Sequence, residues 1–245
     1  MQTANVTLRI GGKRVAFGFD VPTIPIEPVA LLPLFRSITD TLVDIATEET
    51  RARGLSISCR KGCGACCRQL VPISEMEAIA IRRLVASLPE PRRSIVVERF
   101  ERAVARLREA GLLETLHHPE SVDAEKAEQV GLDYFAQGVA CPFLEDESCS
   151  IHPERPLACR EYLVTSPASN CTHPSSDRVQ CVPVPAKPSR AVRRIDDARA
   201  PGFEPWIPMI LALDWPVAER SQSGTAMVAR AFAHLTGADI PPPDD

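Results

Sequence analysis

Aromatic residues are scarce in this chain, at 5% of 245 residues with two Trp and two Tyr. That scarcity argues against a stacking platform for single-stranded nucleic acid. A surplus of positive charge is missing too. Twenty-eight Lys and Arg against 32 Asp and Glu leave a net charge of −4, which offers no footprint for nucleic acid or an anionic membrane. No apolar run approaches the roughly 18 residues needed to cross a bilayer; Val29 to Phe35 is short and broken by Pro33. The first residues hold no basic segment followed by an apolar stretch, so a cytoplasmic protein is expected. Neither G-x-S-x-G nor a glycine-rich phosphate loop occurs, which sets aside ordinary hydrolase and nucleotide-binding readings.

What the chain does have is cysteine and proline. Nine cysteines and 23 prolines accompany a hydrophobic content of 44%, enough to fill a core. In a reducing compartment, closely spaced cysteines read as metal ligands or redox thiols rather than structural disulfides.

Hydrophobic periodicity divides the chain into unlike parts. Val6, Leu8 and Ile10 alternate with polar residues, Gly11-Gly12 offers a turn, and Val15, Phe17 and Phe19 alternate again, which predicts a β-hairpin. Phe35, Ile38, Leu42 and Ile45 recur at helical spacing up to Gly54. Ser74 and Glu77 form a capping box ahead of an apolar stripe that Pro89 ends, and Ile95 to Leu107 predicts a further helix closed by Gly111. Residues 123–137 predict another, and an amphipathic helix runs through Met227, Ala231 and Leu235 before the proline-rich tail, expected to be frayed. Residues 141–190 differ in kind: five cysteines and many prolines with little periodicity, a length of irregular chain that needs an external constraint. The reading is a mainly α protein with a small N-terminal β-hairpin and an irregular cysteine-rich metal-binding region. It divides into an N-terminal hairpin and helix over 1–54, a cysteine-cluster domain over 55–185, and a C-terminal helical extension over 186–245.

The first cysteine cluster is Cys59-Arg-Lys-Gly-Cys63-Gly-Ala-Cys66-Cys67, four thiols within nine residues. Such separations let one turn of backbone aim several sulfurs at one centre, while Gly62 and Gly64 permit positive φ and close approach. The second holds Cys141, Cys149 and Cys159. Pro156 suits the start of a short helix with Cys159 on its first turn, a position that favours thiolate, and Arg155 and Arg160 are expected to offset thiolate charge. Cys171 and Cys181 lie in Pro/Ser-rich text where burial in a core is hard to arrange, and at least one is expected to complete the ligand set. His117, His118, His152 and His173 are conceivable ligands, although a solvated or supporting role is commoner for a lone histidine.

These motifs resemble the YkgJ-type cysteine-cluster family, a zinc- or iron-chelating domain. The pattern is carried by Cys59, Cys63, Cys66 and Cys67, then Cys141-Pro142-x-Leu144, Cys149-x-Ile151 and Arg155-Pro156-x-x-Cys159-Arg160, over roughly residues 55 to 172. It departs at His152, where the family has an aromatic residue, and leaves Cys171 and Cys181 competing for the last position. The resemblance implies metal chelation without a settled reaction; flagellin lysine-methylating enzymes are similar in their cysteine pattern.

All-thiolate sites suit zinc, Cu(I) or iron–sulfur clusters and exclude Mg²⁺ and Ca²⁺. Eight or nine sulfurs are too many for one ion: two tetrahedral zinc sites would take four each, and one 4Fe-4S cluster would take four. The spacing of Cys59, Cys63 and Cys66 also coincides with that of radical S-adenosylmethionine enzymes, but no repeated strand–helix alternation supports their barrel. Three readings follow. One is a metal-binding protein whose partners are zinc or iron ions. The second is an iron–sulfur enzyme that modifies a protein lysine, and the third is a metal-free thiol-redox protein using Cys66-Cys67.

Overall fold

The computed structural model describes residues 1–10, 13–175, 177–195, 205–217 and 220–236. The Gly11-Gly12 turn and the proline-rich tail lie outside them. Two nine-residue strands open the chain, β1 (Gln2–Ile10) and β2 (Lys13–Val21), paired antiparallel with Val6 opposite Phe17 and Leu8 opposite Val15. This register gathers Ala4, Val6, Leu8, Val15, Phe17, Phe19 and Val21 on one face. A lone hairpin is marginal in water. Here that face packs on a core, and the Phe19 ring stacks on Phe232 at 5.7 Å.

Beyond the two-residue strand β3 (Pro25–Ile26), α1 (Leu32–Ala52) buries Phe35, Ile38, Leu42 and Ala46 along one stripe. It stops at Gly54, whose φ of +77° suits glycine. Thr39 and Thr50 are buried on α1 with their hydroxyls donated to Phe35 O and Ala46 O. The strand β4 (Pro72–Ile73) precedes α2 (Glu75–Ser87), which starts in the expected capping box. The helices α3 (Arg92–Glu109), α4 (Leu113–His117) and α5 (Ala124–Ala136) follow. Then come the tiny hairpin β5 (Leu144–Glu145) and β6 (Ser148–Cys149), and the short helices α6 (Leu157–Glu161) and α7 (Pro188–Arg193). β7 (Ile207–Pro208) pairs with β4, and β8 (Gln222–Ser223), which pairs with β3, leads into α8 (Gly224–Thr236). Eight α-helices thus dominate the described residues, with a small N-terminal hairpin. The helix α4 had no counterpart in the sequence reading, since five residues carry too little periodicity.

Two hydrophobic cores form. One joins the hairpin, α1, Leu157, the Val182–Ile195 stretch and α8; the other joins α2, α3, Leu116, Tyr134, Phe143, Ile151 and the 207–212 segment. The helix α2 serves both, giving Met76 to the first and Ala78, Ile81 and Val85 to the second. Where it begins, Glu77 is 2% exposed. One carboxylate oxygen accepts from Ser74 N at 2.9 Å and Ser74 Oγ at 2.8 Å, and the other accepts from Leu157 N at 2.8 Å, the first residue of α6. One side chain therefore caps two helices.

Glu77→Gln keeps one acceptor oxygen and turns an amide NH₂ toward one of these two donor sets. An unsatisfied buried donor costs about 1–3 kcal/mol. Chemical denaturation should show a loss of that size with an unchanged m-value.

Candidate metal centre

Each cysteine segment is held by its own local chemistry. Residues 59–68 form two consecutive tight turns, with Cys63 N bonded to Arg60 O at 3.2 Å and Cys67 N to Gly64 O at 3.0 Å, and Gly62 takes a φ of +84°. The second turn continues as a 3-10 helix, Ala65–Arg68, that carries Cys66 and Cys67. The Cys141-Pro-Phe-Leu segment is pinned by Phe143, fully buried and edge-on to Phe100 at 5.6 Å. It then enters the β5–β6 turn, where Asp146 and Glu147 both adopt positive φ. Cys159 stands in the middle of α6, and Cys171 lies on a 3-10 turn, Ala168–Thr172, that packs against Ala65–Arg68.

Backbone bonds tie these segments together. Cys141 N donates to Cys67 O at 2.7 Å, which joins the two motifs directly. Gly64 fits beneath the β5–β6 hairpin so closely that a Cβ there would stand 2.5 Å from Glu147 Oε2 and 2.7 Å from Leu144 Cδ1. Arg68 reinforces the contact with paired bonds to Glu147, at 2.7 Å and 3.1 Å. On the other side, Val164 is bracketed: Ser58 N bonds to Val164 O at 2.9 Å, Val164 N points at Cys59 Sγ at 3.4 Å, and Val164 forms a β-bridge with Cys181.

The result is a cavity of about 900 Å³ lined by Cys59, Cys63, Cys66, Cys67, Cys141, Cys149, Cys159 and Cys171. All nine cysteines are free thiols. Cys181 is exposed and does not line the cavity. Cys171 is buried, at 4% exposure, contrary to the expectation that its Pro/Ser-rich surroundings leave little room for burial. The turn at 168–172 folds inward against the first cluster, which sequence composition does not reveal. Among the described residues no group of three or more His, Cys, Asp or Glu could hold a metal ion as it stands, so ligation requires the sulfurs to close on the cavity.

Electrostatics around the sulfurs are set by burial and by arginine. Burial pushes the Cys159 thiol well above its ordinary range, pushes Cys141 up to about 12, and raises Cys59, Cys149 and Cys171. The expectation that the start of a helix favours Cys159 thiolate is therefore corrected: in a five-residue helix the loss of hydration outweighs the helix end. Cys66 runs the other way. It accepts a hydrogen bond from the Cys67 thiol and is drawn down to about 7, with Arg155 assisting, while Cys67 is raised by the same bond.

Arg155 also favours the charged form of Cys149, and its Nε is buried without a hydrogen-bond partner. Arg160 serves another purpose. Its guanidinium makes two bonds of 2.8 Å to Asp40 on α1 and bonds Pro153 O and Arg155 O, so it ties α6 to α1. Among the histidines only His152 lines the cavity, and burial and then Arg155 and Arg160 hold its pKa down. His117 stacks on Trp215, His118 faces Glu114 and Glu120, and His173 bonds its neighbour Thr172. Sequence reasoning missed the far wall, where Glu161, Lys187, Ser189, Arg190 and Arg193 close the cavity. No spacing rule connects them to the cysteines.

A family model, CxxCxxCC, described as a "putative zinc- or iron-chelating domain", matches residues 58–181. Neither a curated protein nor a solved structure matches the chain.

Two predictions come from this geometry. Gly64→Ala displaces the Glu147 carboxylate that Arg68 binds and crowds Leu144 Cδ1 and Glu147 Cα, which loosens the contact between the 59–67 turns and the β5–β6 hairpin and should lower bound metal per chain, measured by elemental analysis. Gly131→Ala on α5, where a Cβ meets nothing within 4 Å, should leave metal content unchanged and stabilise by up to about 1 kcal/mol. The second concerns pH. From the ordinary thiol value of 9.0 to the Cys141 value of about 12, the unfolded chain has lost a proton that the folded chain retains. Stability of the metal-free protein should therefore fall as pH rises through that window. Melting temperature measured against pH under reducing conditions checks the sign.

Proposed function

Because the chain belongs to the CxxCxxCC zinc- or iron-chelating family, we propose that it binds zinc or iron through its clustered cysteine thiolates. The observation that carries this reading is the convergence of eight free thiols, from segments more than a hundred residues apart in the chain, on one cavity. Convergence of this kind has no packing rationale. Buried cysteine behaves as a small hydrophobe in a dense core, whereas these sulfurs face a cavity whose wall also carries Arg60, Lys61, Arg155, Lys187, Arg190 and Arg193.

The residues fit a thiophilic metal. A donor set of sulfur without oxygen selects zinc or iron over magnesium or calcium. The cavity wall carries six cationic side chains against the carboxylates Glu147 and Glu161, and this surplus suits the net negative charge of a divalent ion ligated by four thiolates. The buried Arg155 Nε is a donor for which a metal-bound sulfur is the matching acceptor. Metal supplies charge that stabilises thiolate in a buried site, so ligation displaces thiol protons. Burial keeps most of these thiols protonated near neutrality, hence apparent affinity rises with pH. A 4Fe-4S cluster on four of the sulfurs is one form this centre takes in the proposal; mononuclear zinc is the other.

Anaerobic purification followed by elemental analysis and visible absorption tests the reading. Stoichiometric zinc without colour supports a chelating scaffold, and iron with labile sulfide and a brown colour supports a cluster. A folded, metal-free protein that takes up neither metal overturns both. Metal also organises the irregular region in this reading. A chelator should accelerate proteolytic cleavage within residues 141–190 while leaving α3 intact, as followed by mass spectrometry of the fragments.

A further inference from the structure

Building on the metal-binding reading, we propose that the same cavity also admits a small organic anion beside the metal. Arg60, Lys61, Lys187 and Arg190 hold its carboxylate or phosphate head at the mouth, and Leu70, Val71 and Leu163 line the way for an apolar body.

Size is the first observation. An ion held about 2.3 Å from four sulfurs fills a void on the order of 50 Å³. The cavity measures about 900 Å³, within the range of small-molecule pockets, roughly 300–1,000 Å³. The sulfurs close on a metal from the cysteine turns, whereas Leu70, Val71, Leu163 and α7 stand outside those turns and keep their part of the wall. Leu70 and Val71 pack only partly against the second core, and Leu163 only partly against the first. Each lines the cavity with the apolar surface that remains.

Charge is concentrated at the opening. The four mouth cations are exposed although they line the cavity, and they come from two places more than a hundred residues apart in the chain. Arg60 and Lys61 occupy the tight turn that ends in Cys63 and make no side-chain hydrogen bond or ion pair among the described residues. On α7, Pro188, Ser189, Ala191 and Val192 are buried, which turns the basic side outward, with Lys187 and Arg190 three residues apart on one face. Glu161 fixes that helix through both oxygens, on Ser189 N and Ser189 Oγ, and Lys187 in turn favours its charged form. The lining carries six cations against two carboxylates, a surplus larger than the two negative charges of one zinc tetrathiolate. The chain as a whole has a net charge of −4, so this surplus is local to the cavity. Tyr162 adds a neutral donor. Its hydroxyl accepts from Gln69 Nε2 at 3.1 Å and gives its own proton to no acceptor among the described residues. A mouth of donors over an apolar interior selects an anion with an apolar body.

Calorimetric titration of the full-length protein, with metal content measured on the same sample, tests the site. Octanoate and octyl phosphate, the latter below its micelle concentration, distinguish the two head groups. Butyrate and inorganic phosphate lack the long body, and octanol lacks the charge. At least one of the two long anions should bind at one equivalent per chain, about tenfold or more tighter than those three, and more weakly as salt rises. Lys61→Gln combined with Arg190→Gln should weaken binding about tenfold or more, and Arg106→Gln, exposed on α3 and outside the cavity, should change nothing. Circular dichroism identifies a variant that fails to fold, and Lys61→Gln alone, on an exposed turn, keeps the test alive in that event. Octanol binding as tightly as the anions, charge variants without effect, or no saturable binding of either long anion would overturn the proposal. A protein without zinc or iron that still binds the anion would instead remove the metal-binding reading and leave this site standing.

Discussion

The cavity depends on a helix that cannot stand by itself. A five-residue helix has no independent stability in water, yet α6 carries Cys159 and buries Leu157 in the first hydrophobic core. Buried polar contacts hold it at each end. Glu77 of α2 accepts from its first backbone N–H, and its own Glu161 accepts from Ser189 N at 2.8 Å and Ser189 Oγ at 2.6 Å at the start of α7. Arg160, 7% exposed, binds it to Asp40 of α1. The three contacts act as a chain in which a carboxylate or guanidinium from one helix satisfies the open end or flank of the next. Because a lone buried partner costs more than a satisfied pair contributes, the arrangement specifies where α6 lies more than it adds to stability.

That placement decides a contest over the sulfurs. Removing thiols from water favours their protonated form, and burial is the leading cause of the raised values at Cys141, Cys149 and Cys159. At Cys66 the hydrogen bond from the Cys67 thiol, assisted by Arg155, overcomes burial. Burial dominates at Cys59, Cys141, Cys149, Cys159 and Cys171, where loss of hydration outweighs any nearby arginine. A divalent metal changes this balance locally, since its charge sits at bonding distance from each thiolate.

Much of the fold was legible because the responsible signals are local. Helical stripes at Phe35, Ile38 and Leu42, the Ser74–Glu77 capping box and the alternation of β1 and β2 are each written within about 20 residues, and each formed as read. The cysteine motifs were legible for the same reason. What stayed hidden is long-range: Glu77 reaches Leu157, Arg160 reaches Asp40, and Lys187, Ser189, Arg190 and Arg193 line the same cavity as the first cysteine turns. Arg160 shows the limit well. Its position beside Cys159 suggested a counter-charge, but a helix directs neighbouring side chains to different faces, and this one faces α1.

The choice of turns over helices for most of the cysteines has a physical reason as well. Along an α-helix, side chains three or four residues apart share a face at about 5–6 Å between Cβ atoms, so successive sulfurs spread along an axis. Tight turns curl around a point instead. The first cluster uses two turns in nine residues, with Gly62 at positive φ and Gly64 admitting the neighbouring hairpin, to bring four cysteines to the wall of one cavity. Turns lack the ladder of hydrogen bonds that makes a helix rigid, so their order must come from elsewhere. Here it comes from the cross-links between segments, above all the bond from Cys141 N to Cys67 O, and from the two cores that carry those segments. Irregular chain at the cavity and regular helices around it are thus two halves of one solution: the helices fix position, and the turns supply curvature.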